Sequence, residues 1–184
     1  MIRGVKIGFC GYWTREMKTD QVKKTIRSLR EECDIVVASF HWGTEYKYTP
    51  NKAETNLARQ AIDAGADLVL GHHPHVVGAL EQYKGKYIIY SLGNCCFGGN
   101  FGRDESDSVL FQQKFILEGG EIRDGGVTLI PYRYYTAAVR KNNYRPGLLT
   151  GKDAERVLGK IDKASRTLQY GVNIKNLTSG APDR

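Results

Sequence analysis

No apolar run in the 184-residue chain approaches the roughly 18–20 residues that a membrane-spanning helix needs. Its first residues, Met-Ile-Arg-Gly-Val-Lys, lack the apolar stretch of roughly 7–15 residues that marks an export signal. The expectation is a protein that is cytoplasmic as given. Cysteine is scarce: four residues, at positions 10, 33, 95 and 96, with no CxxC pair. That spacing excludes a zinc ribbon and a thioredoxin-like centre. Vicinal Cys95-Cys96 is poorly suited to a structural disulfide, so reduced thiols are expected. Internal repeats and low-complexity linkers are also missing. What remains, 41% hydrophobic and 26% charged, is the composition of one ordinary globular domain.

The formal charge is +7, but it is unevenly placed. Residues 140–184 hold ten Lys/Arg against four Asp/Glu, whereas residues 1–139 hold seventeen against sixteen. The surplus is either a solvated basic helix and tail or a patch for a polyanion or a membrane surface. It does not point to specific nucleic-acid recognition.

The first half alternates strand and helix patterns. Residues 5–9 (Val-Lys-Ile-Gly-Phe) form a short β-type run closed by Gly11. Thr19 or Asp20 can cap a helix with Val22, Ile26 and Leu29 along one face. Asp34-Ile-Val-Val-Ala-Ser39 is a continuous apolar run of the kind found in strands covered on both faces. Pro50 and Asn51 open a second helix, with Leu57, Ala58, Ala61 and Ile62 on one face and Gly65 as its stop. Asp67-Leu-Val-Leu-Gly71 follows as another buried strand. Two βα units in succession predict locally parallel strands.

The second half changes character. Residues 76–83, 87–91, 109–117 and 121–134 read as strands, with Lys84-Gly85 and Gly119-Gly120 as hairpin turns. The predicted fold class is therefore α+β, with parallel βα units first and antiparallel hairpins after. Residues 94–107 form a Gly-rich loop long enough to carry function. A last helix is expected over residues 152–170, with Val157, Leu158, Ile161 and Leu168 as its apolar stripe. The domain should span residues 1–170, with a flexible tail at 171–184.

All four histidines lie between positions 41 and 75, each where an apolar strand runs out into a loop. His41 follows one buried strand; His72, His73 and His75 follow the next. In a parallel sheet those carboxyl ends lie side by side and face one crevice, the usual ligand site of open α/β sheets. His73-Pro-His75 places two imidazoles one residue apart, with Pro74 restricting the backbone between them. His41, His73 and His75 are the candidate metal ligands. Imidazole suits Zn, Mn and Fe among others, so spacing alone does not name the ion. His72 reads as an orienting or catalytic group rather than a ligand. Glu45 is either a solvated loop carboxylate or a ligand or general acid/base. Asn94 could offer an amide to a ligand or close a turn. Arg103 could contact a phosphate or carboxylate. Trp42 should pack, and Cys95 and Cys96 read as small packed residues rather than nucleophiles.

Several motifs together carry a family resemblance. They are His41-Trp-Gly-Thr-Glu-Tyr46, Asp63-Ala-Gly-Ala-Asp-Leu-Val-Leu-Gly-His-His-Pro-His75, Glu81, Lys84-Gly85-Lys86 and Tyr90-Ser-Leu-Gly-Asn94. In order and spacing they resemble the capsule-synthesis CapA family, which is linked to poly-γ-glutamate biosynthesis and belongs to the calcineurin-like metallophosphoesterases. The resemblance covers residues 5–135. It implies a layered sandwich of two β-sheets flanked by helices, with a dinuclear site for divalent Mn, Zn or Fe at the strand ends. His41 resembles the family's mid-chain ligand histidine. His73-Pro-His75 resembles its final Gly-His-x-His block, with His72 in the glycine's place. Cys95 stands where the family usually has Phe.

The resemblance also shows a departure. The family's Asp-bearing and Asn-Leu-Glu-type blocks have no counterpart in residues 1–33, where Asp20 and Glu31-Glu32 fall in a helical pattern. The expectation is thus the C-terminal half of the family's domain, holding at most one of two ions and hydrolysing phosphoesters weakly or not at all by itself. Two ions would lack their bridging carboxylate. A sheet without its first strands exposes an unpaired edge and an apolar face, to be covered by a separate N-terminal half or by homodimerisation. The substrate implied is a polyanionic polymer or a phosphorylated small molecule, and intact relatives are expected at the cell surface. Two alternatives stand beside a hydrolase. One is a non-catalytic metal-binding subunit or remnant, and the other is a polyanion-binding module acting through residues 140–184.

Overall fold

Two short apolar strands with opposite faces buried in different cores set the arrangement. In the computed structural model, residues 1–13, 18–97, 106–136 and 143–177 are described. The chain runs β1 (Ile7–Trp13), α1 (Thr19–Glu32), β2 (Ile35–His41), α2 (Lys52–Asp63), β3 (Leu68–His72), β4 (Leu80–Tyr83) and β5 (Lys86–Ile89). These strands form one five-stranded sheet in the order β1-β2-β3-β5-β4, parallel except for the antiparallel edge strand β4. A second, antiparallel sheet follows, built from β6 (Asp107–Glu118), β7 (Glu121–Arg133) and β8 (Gly147–Leu148). Helix α3 (Gly151–Ser165) then packs against β7 and β4. The expected α+β class, parallel units before hairpins, is what the chain adopts.

Along β2, alternate side chains enter different cores. Val36, Ala38 and Phe40 pack with Val22 and Ile26 of α1 and with Ala58, Ala61 and Ile62 of α2. Ile35 and Val37 face the other way, onto Val109, Val127 and Leu129 of the second sheet and Val157 and Ile161 of α3. The order of layers is helices, sheet, sheet, with α3 closing the side. Side chains at odd positions of β2 and even positions of β3 thus look toward the second sheet, and His41 and His72 continue those two rows.

Local chemistry accounts for the helices. Asn51 caps α2: its side-chain oxygen accepts from the Ala53 and Glu54 backbone N–H groups at 2.8 and 3.0 Å, and Glu54 returns to Asn51. Such a capping box contributes about 1 kcal/mol. Helix α1 starts after Lys18, without the side-chain cap expected from Thr19 or Asp20. Burial of Val22 and Ile26 holds it instead.

Buried carboxylates tie elements together. Asp67 accepts from Arg30, Lys86 and the Val36 N–H, which joins α1, β5 and β2 at one end of the sheet. Glu81, fully buried on β4, accepts from Arg59 of α2 at 2.6 and 3.0 Å and from the Tyr90 hydroxyl at 2.6 Å. Asp107 on β6 accepts from Arg156 and Lys160 of α3.

Several boundaries differ from the sequence reading. Strand β1 continues to Trp13. The run at 76–83 is not one strand: Val77 makes an isolated bridge to Leu92, and only Leu80–Tyr83 pairs with β5. Helix α3 ends at Ser165, whose hydroxyl donates to the Ile161 carbonyl and accepts the Leu80 N–H. The chain then folds back so closely that a Cβ at Gly171 would collide with the Ser165 carbonyl. Gln82 N–H bonds the Tyr170 carbonyl, Val172 N–H bonds the Leu80 carbonyl, and Ile174 is buried. Of the residues placed in a tail by sequence, 171 and 172 therefore run along the outer side of β4 and Ile174 turns to Asp162 of α3; residues 178–184 lie outside the described residues. At the opposite edge, β1 leaves Phe9 71% exposed.

Removing one partner of a buried ion pair leaves the other charge without compensation. The variant Arg59→Ala should therefore lose about 3 kcal/mol of stability in urea unfolding. A loss within about 0.5 kcal/mol would show that Glu81 finds other compensation.

Candidate functional site

The site is assembled by register. In the parallel pairing of β2 with β3, His41 stands directly opposite His72. Beyond the strands, two backbone bonds stitch the loops together: Trp42 N–H to the His72 carbonyl at 3.0 Å, and Tyr46 N–H to the Pro74 carbonyl at 2.8 Å. Trp42 is buried, as expected, and its indole N–H donates to the Tyr90 carbonyl at 3.0 Å. A Cβ at Gly71 would collide with both that carbonyl and the indole nitrogen, so glycine alone permits this approach.

The His73-Pro-His75 segment is held in an uncommon backbone shape. His73 has φ 100° and His75 φ 61°, both in the left-handed region that non-glycine residues rarely occupy. Strain of this kind, about 1–3 kcal/mol per residue, persists only where the surroundings over-determine it. Here the strand end, Pro74 and the Tyr46 bond do so.

The result is a row of three imidazoles. The ring centres of His41 and His73 are 4.8 Å apart, and those of His73 and His75 are 6.0 Å apart. Phe97 and Tyr46 flank His75, with ring centres at 5.1 and 6.3 Å. Burial, then the neighbouring His73 and His75, holds the His41 imidazole below its ordinary value. Burial, then His41, does the same for half-buried His72. Both rings are therefore neutral near pH 7, the form that binds a metal ion.

As donors these residues fit a divalent ion in kind. With N–metal bonds of about 2.0–2.1 Å, two imidazoles on one ion have ring centres within roughly 6.5 Å, a limit both neighbouring pairs meet. In number they stop short. Among the described residues no three His, Cys, Asp or Glu side chains are placed to hold one ion. The row is an open line of imidazoles rather than a closed cage.

The other candidates fall in different places. Glu45 is exposed on the loop after β2. Asn94 is buried and touches the histidine row, its side-chain oxygen 2.7 Å from His75 Nδ1. Arg103 lies outside the described residues. Cys95 and Cys96 are free thiols and exposed, not packed as the sequence suggested.

Two residues that sequence reading missed hold Asn94 in place. Ser108 on β6 accepts the Asn94 N–H at 3.1 Å and donates to its carbonyl at 2.7 Å, while the Tyr132 hydroxyl on β7 donates to the same carbonyl at 2.8 Å. Gly93, with φ 77°, makes this seat possible, since a Cβ there would lie 2.8 Å from Ser108 Oγ. The Asn94 side-chain Nδ2 is buried, with no hydrogen-bond partner among the described residues. Such an orphan donor costs about 1–3 kcal/mol. No local signal marks Ser108 or Tyr132, because both reach Asn94 across the sandwich.

Comparison with known proteins places residues 6–99 in the range matched by a family described as bacterial capsule synthesis protein PGA_cap. The chain is 47% identical over 87 residues to the PGA biosynthesis protein CapA of Bacillus subtilis, covering 47% of this chain and 23% of that relative. It is 37% identical over 110 residues to the capsule biosynthesis protein CapA of Bacillus anthracis, covering 60% of this chain and 25% of that relative. A probable polyglutamine synthesis accessory protein of Mycobacterium tuberculosis is 35% identical over 75 residues, 41% of this chain and 20% of that relative. The chain thus matches about a quarter of the length of these relatives.

The lowered histidines give a pH dependence with a definite sign. Both bind a proton less readily in the folded chain than in the unfolded one, whose value is near 6.5. The unfolded state therefore takes up more protons as pH falls through that value, and the fold loses stability. In chelator-treated protein the urea midpoint should fall from about pH 7 to about pH 5, and His72 should titrate below 6.5 by NMR. A His72 titration at or above 6.5 would refute the neutral-ring assignment.

Proposed function

This chain belongs to the bacterial capsule synthesis protein PGA_cap family, and from that membership we propose that it acts in capsule or poly-γ-glutamate biosynthesis as part of a CapA-like accessory protein. Its strand-end histidines serve there as one side of a metallophosphoesterase-type metal centre. The observation that carries this reading is the row His41–His73–His75, neighbours at 4.8 and 6.0 Å, at the carboxyl ends of two parallel strands within the matched range.

His73 with a neighbour of the row, His41 or His75, would contribute to holding a divalent ion of the Mn, Zn or Fe type. When bound, such an ion supplies Lewis acidity toward an ester or acyl oxygen. The rest falls to the chain's own groups. The left-handed backbone at His73 and His75 fixes where their rings can stand before any ligand arrives. His72, kept neutral by burial, offers an N–H to charge developing on a departing group. Glu45, exposed on the adjoining loop, is the carboxylate for proton transfer. Asn94 meets the His75 ring and acts on the site through it. Carboxylate donors beyond the described residues would complete the centre, and the β1 edge beside exposed Phe9 is where a further segment, or a second copy, would add to the sheet.

A second reading is favoured by the lack of a three-ligand group among the described residues: a metal-binding subunit without turnover of its own. Polyanion binding through the basic C-terminal segment finds less support. Arg156 and Lys160 are engaged by Asp107, and Arg166 lies 2.8 Å from Asp162.

Metal analysis separates these possibilities. Chelator-free protein should bind Zn²⁺ or Mn²⁺, and the double variant His73→Ala/His75→Ala should weaken that binding at least about 100-fold. Equal metal content in parent and double variant would overturn the ligand assignment. Metal binding without any hydrolysis of a generic phosphodiester, even with an added segment that supplies carboxylates, would select the non-catalytic subunit.

A further inference from the structure

We propose that Asn94 is a positioning residue that holds the His75 imidazole as its Nδ1–H tautomer and so leaves Nε2 as the lone pair offered to a divalent cation. The cation half of this inference rests on the metal reading above; the tautomer half stands on geometry alone.

A neutral imidazole carries one N–H and one lone pair, so a partner that settles one ring nitrogen settles the other. The Asn94 side-chain oxygen lies 2.7 Å from His75 Nδ1, and a carbonyl oxygen can only accept there. The proton therefore sits on Nδ1. Turning the amide over would present an N–H to Nδ1, move the ring proton to Nε2 and remove the lone pair from the far nitrogen.

Two features argue that the amide is held for this purpose. Its Nδ2 is buried and has no hydrogen-bond partner among the described residues, so the orientation is not explained by satisfying the amide itself. Its backbone is clamped on both sides by the second sheet: Ser108 on the N–H and the carbonyl, and Tyr132 on the carbonyl. The chain of contacts runs from β6 and β7 through Asn94 to a ring whose own backbone, at φ 61°, has little freedom. An amide suits the task better than a carboxylate in one respect. It accepts the hydrogen bond without a charge that would favour the protonated ring.

Long-range ¹H–¹⁵N spectra of metal-free, ¹⁵N-histidine-labelled full chain read the tautomer directly. The parent should show His75 as Nδ1–H, Asn94→Asp should keep that form, and Asn94→Ala should shift it toward Nε2–H. Calorimetry with ZnCl₂ should show affinity reduced about 10–100-fold in Asn94→Ala and largely kept in Asn94→Asp. A general loss of packing would not move the tautomer in this selective way, and the parent spectrum decides the assignment even if Asn94→Ala folds poorly. A parent with His75 as Nε2–H that still binds Zn²⁺ overturns the tautomer assignment alone. A parent that binds no Zn²⁺ overturns the metal reading and with it the cation half of this proposal.

Discussion

The parallel register of β2 on β3, Val37 opposite Leu68 through to His41 opposite His72, is the constraint on which the rest depends. A slip of one residue would turn every side chain of a strand to the opposite face. Val36, Ala38 and Phe40 would leave the helix-side core, and His41 would point at α1 and α2. The core and the histidine row are therefore specified by the same alternation. What buries Ile35 and Val37 against the second sheet also places the histidine at the end of that row.

The second sheet contributes more than cover. Ser108 and Tyr132 reach across the sandwich to seat Asn94, and Asn94 in turn meets His75. The histidine row is thus built from parallel strands and their loops, and Asn94 beside it is seated by antiparallel strands distant in sequence. Gly71 and Gly93 allow the two close approaches that this requires, one beside Tyr90 and one beside Ser108.

The histidine placement was legible because each residue ends a short apolar run, and such runs in βα units have one plausible packing. The capping box at Asn51 and the turns at Lys84-Gly85 and Gly119-Gly120 were legible because their chemistry is local. Less local features escaped. The break within residues 76–83 depends on which neighbour each residue pairs with: Val77 meets Leu92, while Leu80 meets Ile89. The end of α3 depends on Ser165 finding the Leu80 N–H, a bond between residues 85 apart. The seating of Asn94 likewise spans two sheets. Charge counting likewise does not show which charges meet: Arg156 and Lys160 of the C-terminal segment pair with Asp107, a residue from the nearly neutral remainder.

The fold-back at Gly171 gives the five-stranded sheet a direction. With residues 170–172 laid along β4, that border is already occupied, and among the described residues only the β1 side of the sheet lacks a neighbouring strand. Two chains joined there by like strands would use up the open border of both, so this sheet can close a pair but cannot propagate a fibre.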